Sequence, residues 1–314
     1  MRDEDTVLFI MSDHGFGPLH RIINLNVWLM REGYLVLRRR PITLLKYLLW
    51  RAGFTPEGLA EKRLIRLTLG RLIMRMLKDR NKATVDQLRL LHSGLETFLS
   101  LNDVDWSRTK AFGLFGWGQI KINVKGRYPQ GCVSPGAEYQ ALRAEIVTKL
   151  RELKDPETGE RVGGEVFTRD EVYWGPFLEE APDITFLPMK KRYWANSRGT
   201  GFPSNRIFST FLWGMTGMHT MNGILLAEGK PLRKALRVHG AHILDLFPTI
   251  LYLMGIPVPK DTDGKVLDQI FHDAFLRENR FEPTDRADGG KGEALQGIEE
   301  QEEIIERLRE LGYL

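Results

Sequence analysis

Residues 7–17 read VLFIMSDHGFG. The run at 7–11 is apolar at every position, and such a run suits a short strand buried on both faces, as in a parallel sheet covered by helices. SDHGFG at 12–17 follows at once and reads as the loop leaving the strand's carboxyl end. In open α/β sheets that edge is where ligands collect. Asp13 and His14 stand side by side there, a hard carboxylate next to an imidazole, and both are common zinc ligands. Neighbours in a regular strand point to opposite faces, but Gly15 and Gly17 permit a sharp turn that would let both side chains converge. On the residues alone a second reading stays open: Asp13 caps a turn and His14 hydrogen-bonds a nearby loop.

Outward from this stretch, residues 24–37 read as a helix ending at Gly33 and a short strand, YLVL. From 38 to about 80 the pattern changes to LLKYLLW and RLIRLTLGRLIMRML, which predict two or three amphipathic helices inserted into the main fold. Two strand-like runs lie at 109–124. A helix is expected at 135–153, with Glu138 early and Lys149 and Arg151 late, as the helix dipole favours. Residues 155–164 read as a turn-rich loop. Strands are expected at 181–188, 206–213 and 223–227, and a helix at 245–254 stopped by Gly255 and Pro257. A solvated helix is expected near the end of the chain. Strands alternating with helices predict an α/β sandwich, a mostly parallel sheet between helices. The expected organisation is a core at 1–37 and 109–281, a basic helical insertion or lid at 38–108, and an acidic tail at 282–314.

The 314 residues carry a net charge of +4, unevenly placed. Residues 38–80 hold twelve Lys/Arg against three acids, whereas 282–314 hold ten acids against four bases. A basic block in a balanced chain suggests an anionic partner or substrate. With a single cysteine, Cys132, no intramolecular disulfide can form, and a cysteine-built zinc site is disfavoured. Residues 1–11 read as too short in their apolar run and too acidic for a secretory signal, no apolar run is long enough to span a membrane, and the expected location is the cytoplasm. GLFGWG (113–118) has the wrong glycine spacing for a dinucleotide loop, and no P-loop or G-x-S-x-G elbow is present. CVSPG (132–136) lacks the arginine of the sulfatase maturation signature. No nucleic-acid fold surrounds the basic block.

Other histidines are weaker candidates. His219 lies in GMTGMHTMNGILLA, read as a glycine-rich loop feeding a strand. His20 follows the SDHG loop closely and is a candidate for touching a bound anion. His239 and His242 have a spacing that could suit a metal, but no third local ligand follows. His92 and His272 fall on predicted polar helical faces.

Taken in order, the 7–17 stretch, GMHTMNGILLA (217–227) and ILDLFPTILYLMGIPVPKDTDGKVL (243–267) resemble the carboxyl-terminal half of the alkaline phosphatase superfamily. The nearest branch is that of phosphohydrolases and phosphomutases related to type I phosphodiesterase/nucleotide pyrophosphatases. INVKGRYPQGCV (122–133), LKDPETGERV (153–162), APDI (181–184) and ERLRELGYL (306–314) share the resemblance, and residues 38–80 are its least specific part.

The resemblance implies an alkaline-phosphatase-like core with two divalent metal ions, zinc or manganese. Asp13 and His14 match the pair that holds one ion, and His219 matches a late ligand of the other. Asp245 and Thr249 match a structural helix that Asp245 caps and Pro248 opens. The implied chemistry is phosphoryl transfer to a metal-bound serine or threonine. The family's nucleophile and its remaining ligands lie before the SDHG loop, so the nucleophile is expected upstream of residue 1, and partial metal occupancy and an inactive or partial enzyme are expected of this chain. The expected partners are a phosphorylated small molecule or nucleotide-like substrate and an amino-terminal half, with no specific nucleic acid. The alternative function is non-enzymatic: binding of anionic lipid, a membrane surface, or a partner through residues 38–80.

Overall fold

The computed structural model describes residues 5–61, 97–113, 116–188, 192–197, 201–210, 214–280 and 284. The helices expected across 62–80, His92, and the acidic tail apart from Thr284 lie outside the described residues. Along the chain run β1 (Leu8–Met11), β2 (Gly15–Pro18), β3 (Arg21–Asn24), α1 (Leu25–Arg31), α2 (Pro41–Arg51), α3 (Pro56–Glu61), β4 (Ala111–Gly113), β5 (Gln119–Ile122), α4 (Ala137–Arg151), β6 (Val166–Thr168), α5 (Arg169–Val172), β7 (Ile184–Phe186), β8 (Tyr193–Asn196), β9 (Phe208–Ser209), β10 (Gly217–Thr220), β11 (Leu225–Glu228), α6 (Leu246–Leu253) and α7 (Asp273–Glu278). The fold is mixed α/β. The chain divides into two compact units, residues 14–222 and residues 1–13 with 223–314.

The unit of residues 14–222 holds a four-stranded sheet in the order β4-β5-β7-β6, a three-stranded sheet β8-β3-β9, and a ribbon of β10 with β2. Among the described strands of the whole chain only β3 and β8 pair in parallel, and the other pairings are antiparallel. The described strands therefore do not assemble the single, mostly parallel sheet that the sequence predicts.

The core of this unit gathers α1, α4 and both larger sheets. Leu25, Val27, Trp28 and Leu29 of α1 are buried, and Gly33 at φ +81° takes the left-handed position that ends the helix at its expected place. Among the described residues, 34–37 form no ladder beyond one bridge from Leu37 to Val104. The helix expected at 135–153 forms as α4, and its Tyr139, Leu142, Ile146, Val147 and Leu150 fall at helical spacing and are all buried. The first part of the basic block joins the same core through Trp50 of α2.

Buried polar groups in this unit are tied in clusters. Asp183, fully buried at the start of β7, accepts from the Ile122 amide at 2.6 Å, from Arg127 at 2.8 Å and from the Tyr139 hydroxyl at 2.8 Å. Asp155, in the loop after α4, accepts from Arg21 at 3.0 Å and from the Tyr193 hydroxyl at 2.7 Å.

The unit of residues 1–13 and 223–314 has a smaller core of Leu232, Tyr252, Val258, Leu267, Ile270 and Phe271. Its strand β1 departs from expectation. Among the described residues it pairs only with β11, antiparallel, with Phe9 opposite Ala227. Leu8, Ile10 and Met11 are exposed, and Phe9 alone of the strand packs on the core. An all-apolar run fits a doubly covered strand, but its pattern does not say whether a cover is present. The helix expected at 245–254 forms as α6, preceded by a 3₁₀ turn (Ile243–Asp245). The expected capping by Asp245 takes another form: its carboxylate accepts from the amides of His242 and Lys265, each at 2.9 Å, and not from the first amides of α6. Thr249 accepts from the Leu267 amide at 2.9 Å, so the pair pins the 265–267 segment to the helix.

Candidate metal centre

Two stretches expected as loops are strands. β2 and β10 form an antiparallel ribbon in which His219 pairs with Phe16 and Thr220 with Gly15. Glycine is what lets them approach. A Cβ on Gly15 would lie 2.1 Å from the Asn222 carbonyl oxygen and 2.4 Å from Thr220 Oγ1. A Cβ on Gly217 would strike the Phe16 ring at 2.2 Å.

The ribbon brings His14 and His219 together. Their rings stack with centroids 3.8 Å apart and planes 11° from parallel. Trp117 lies 5.2 Å from the His219 ring and Phe16 6.2 Å, so an aromatic collar holds the imidazole in place. Both histidines are half-buried. His14 Nδ1 is 2.8 Å from the carbonyl oxygen of Gly15. Donation there puts the proton of a neutral ring on Nδ1 and the lone pair on Nε2. A backbone carbonyl on one ring nitrogen is the usual way a metal-binding histidine is oriented.

The other expected residues fall elsewhere. Asp13 is exposed and closes the first segment of the 1–13/223–314 unit. His20 is exposed, its ring edge-on to Tyr193 at 5.6 Å and its amide donating to the Arg192 carbonyl at 2.7 Å, so its observed partners are not the stacked pair. Burial and the hydrogen bond to Asp155 push the Tyr193 hydroxyl up to about 12. His239, His242 and His272 are exposed in the other unit.

The stack bears directly on how metal could be held. Lone pairs of imidazole nitrogens lie in the ring plane, so those of two nearly parallel rings lie in separate planes and do not meet at one point. One ion shared by both rings would need them turned. In a two-ion site each ring would serve a different ion. A tetrahedral site needs four donors. Among the described residues no group of three or more His, Cys, Asp and Glu could hold a metal ion. Two imidazoles by themselves complete no such shell.

Trp117 escaped the sequence reading because GLFGWG was weighed only as a dinucleotide loop. The Asp183 cluster escaped it because its three donors come from separate segments. A cue was available in the Asp that opens the APDITF strand. Compared with protein-family models, with curated proteins and with solved structures, the chain gave no match.

Proposed function

We propose that the chain carries the histidine pair of a two-metal phosphohydrolase centre of the alkaline phosphatase type, acting on phosphate esters of the phosphodiester, nucleotide or phosphomutase class. The observation that carries this reading is the parallel stack of His14 on His219 at 3.8 Å. The motif order supports it, and the parallel pairing of β3 with β8 is the piece of the described structure that suits the family's parallel core. His14 and His219 would each give one nitrogen to a zinc or manganese ion, with Asp13 the sequence neighbour expected to join His14. Such ions supply Lewis-acid stabilisation and lower the pKa of an attacking hydroxyl. No reaction step is derived from two donors. Turnover requires a nucleophilic serine or threonine and further ligands that the matched motifs do not include. Cytoplasmic residence belongs to the same proposal and rests on the lone cysteine.

Calorimetric titration of the chain with Zn²⁺ or Mn²⁺ tests the proposal. Weak binding that falls in His14→Ala and again in the His14→Ala/His219→Ala double variant supports it. Binding unchanged in the double variant removes it.

A further inference from the structure

From the surface of α2 we infer that this helix docks, lying flat, on an anionic phospholipid bilayer. Its packing inverts the usual order. The side turned inward holds Thr43 and Lys46, which bond the Asp103 carboxylate at 3.0 and 3.3 Å, with Tyr47 stacked on Trp50 at 5.8 Å. The side turned outward holds Ile42, Leu44, Leu45, Leu48 and Leu49, each 41–57% exposed. At about 100° per residue these five fall on one arc of roughly 160°. A contiguous aliphatic face turned to water marks an interaction surface.

Charge identifies the occupant. Residues 38–51 carry Arg38, Arg39, Arg40, Lys46 and Arg51 and no acid. Arg39 and Arg40 are exposed at one end of the helix and Arg51 at the other. An in-plane amphipathic helix has this distribution, leucines toward the acyl chains and arginines at headgroup level. Beside α2 lies a groove of about 610 Å³ lined by Leu35, Leu37, Leu44 and Tyr47 together with Arg38, Arg39 and Arg40. Apolar walls beside cations suit an anionic amphiphile better than a neutral protein surface. At 11 residues α2 is far short of a span, and among the described residues no helix is long and apolar enough to cross a membrane. The surface is independent of the histidine pair.

Co-sedimentation of the full chain with phosphatidylcholine vesicles, with and without phosphatidylserine, tests this. Binding is expected only with phosphatidylserine and is expected to weaken as salt rises. Leu44→Asp/Leu48→Asp is expected to lower the partition coefficient at least roughly tenfold. Arg39→Glu/Arg40→Glu is expected to lower it by about tenfold or more. All these side chains are solvent-facing, and circular dichroism checks that the variants fold. No binding to either vesicle, equal binding to both, or an unaltered partition in the leucine variant overturns the proposal. So does a lipid-free dimer in sedimentation velocity that the leucine variant splits, since the face would then belong to a second copy.

Discussion

The Tyr139 hydroxyl donates to the Asp183 carboxylate at 2.8 Å, joining α4 to the first residue before β7. The same carboxylate takes the Ile122 amide and Arg127, so one buried anion satisfies three donors from three segments.

Asp183→Ala leaves a buried amide, a hydroxyl and a guanidinium without their acceptor. The expected loss is roughly 3–5 kcal/mol of unfolding free energy, the usual cost of removing one partner of a buried ion pair. Urea unfolding measures it. A loss below about 1 kcal/mol would mean that the cluster is not a keystone of this unit.

The Asp155–Tyr193 contact gives the same unit one acid-sensitive and one alkali-sensitive group. Burial alone would raise the Asp155 carboxyl. The Glu157 amide, the Tyr193 hydroxyl and Arg21 outweigh it and hold the pKa below the ordinary carboxylate value. A depressed carboxyl stabilises the fold above its unfolded pKa of about 3.9 and loses that stabilisation as pH falls through the folded value. Tyr193, raised to about 12, does the reverse: its contribution is whole below an unfolded pKa of about 10 and fades as pH rises toward the folded value. Unfolding midpoints should therefore fall at both extremes. Asp155→Asn should flatten the acid limb, and Tyr193→Phe should flatten the alkaline one. An acid limb as steep in Asp155→Asn as in the wild type would contradict this.

Gly15→Ala tests the ribbon. The added methyl meets backbone oxygen at 2.1 Å, so the strands must part, at a cost of roughly 1–3 kcal/mol. The ring-current shifts that His14 and His219 impose on each other should disappear from the proton spectrum together with that stability. Retained shifts and an unaltered midpoint would show that the ribbon does not rely on this close approach.

What was legible in the sequence follows from locality. Glu138 near the start and Lys149 and Arg151 near the end lie within one helix, and the expected span of 135–153 meets α4 to within two residues at each end. The Gly33 stop needed only its own neighbours. In contrast, Leu8, Ile10 and Met11 are exposed because of what pairs with β1, which no property of those residues encodes. The aliphatic side of α2 was visible as a pattern, but Thr43, Lys46 and Trp50 found partners at Asp103 and Phe202 and drew the other side inward. The candidate site shows the same division. His14 and His219 were singled out by residue type and motif order, but their stacking depends on a register between β2 and β10 set by glycines distant in the chain.

The proposed function requires His14 and His219 to take up divalent metal together. A Zn²⁺ titration followed by ¹⁵N-edited NMR of the histidine rings tests it most directly. As metal is added, Nε2 of His14 is expected to shift, the His219 ring to shift in the same concentration range, and His239, His242 and His272 not to move with them. Zinc that perturbs those exposed rings and leaves His14 and His219 unmoved would contradict it.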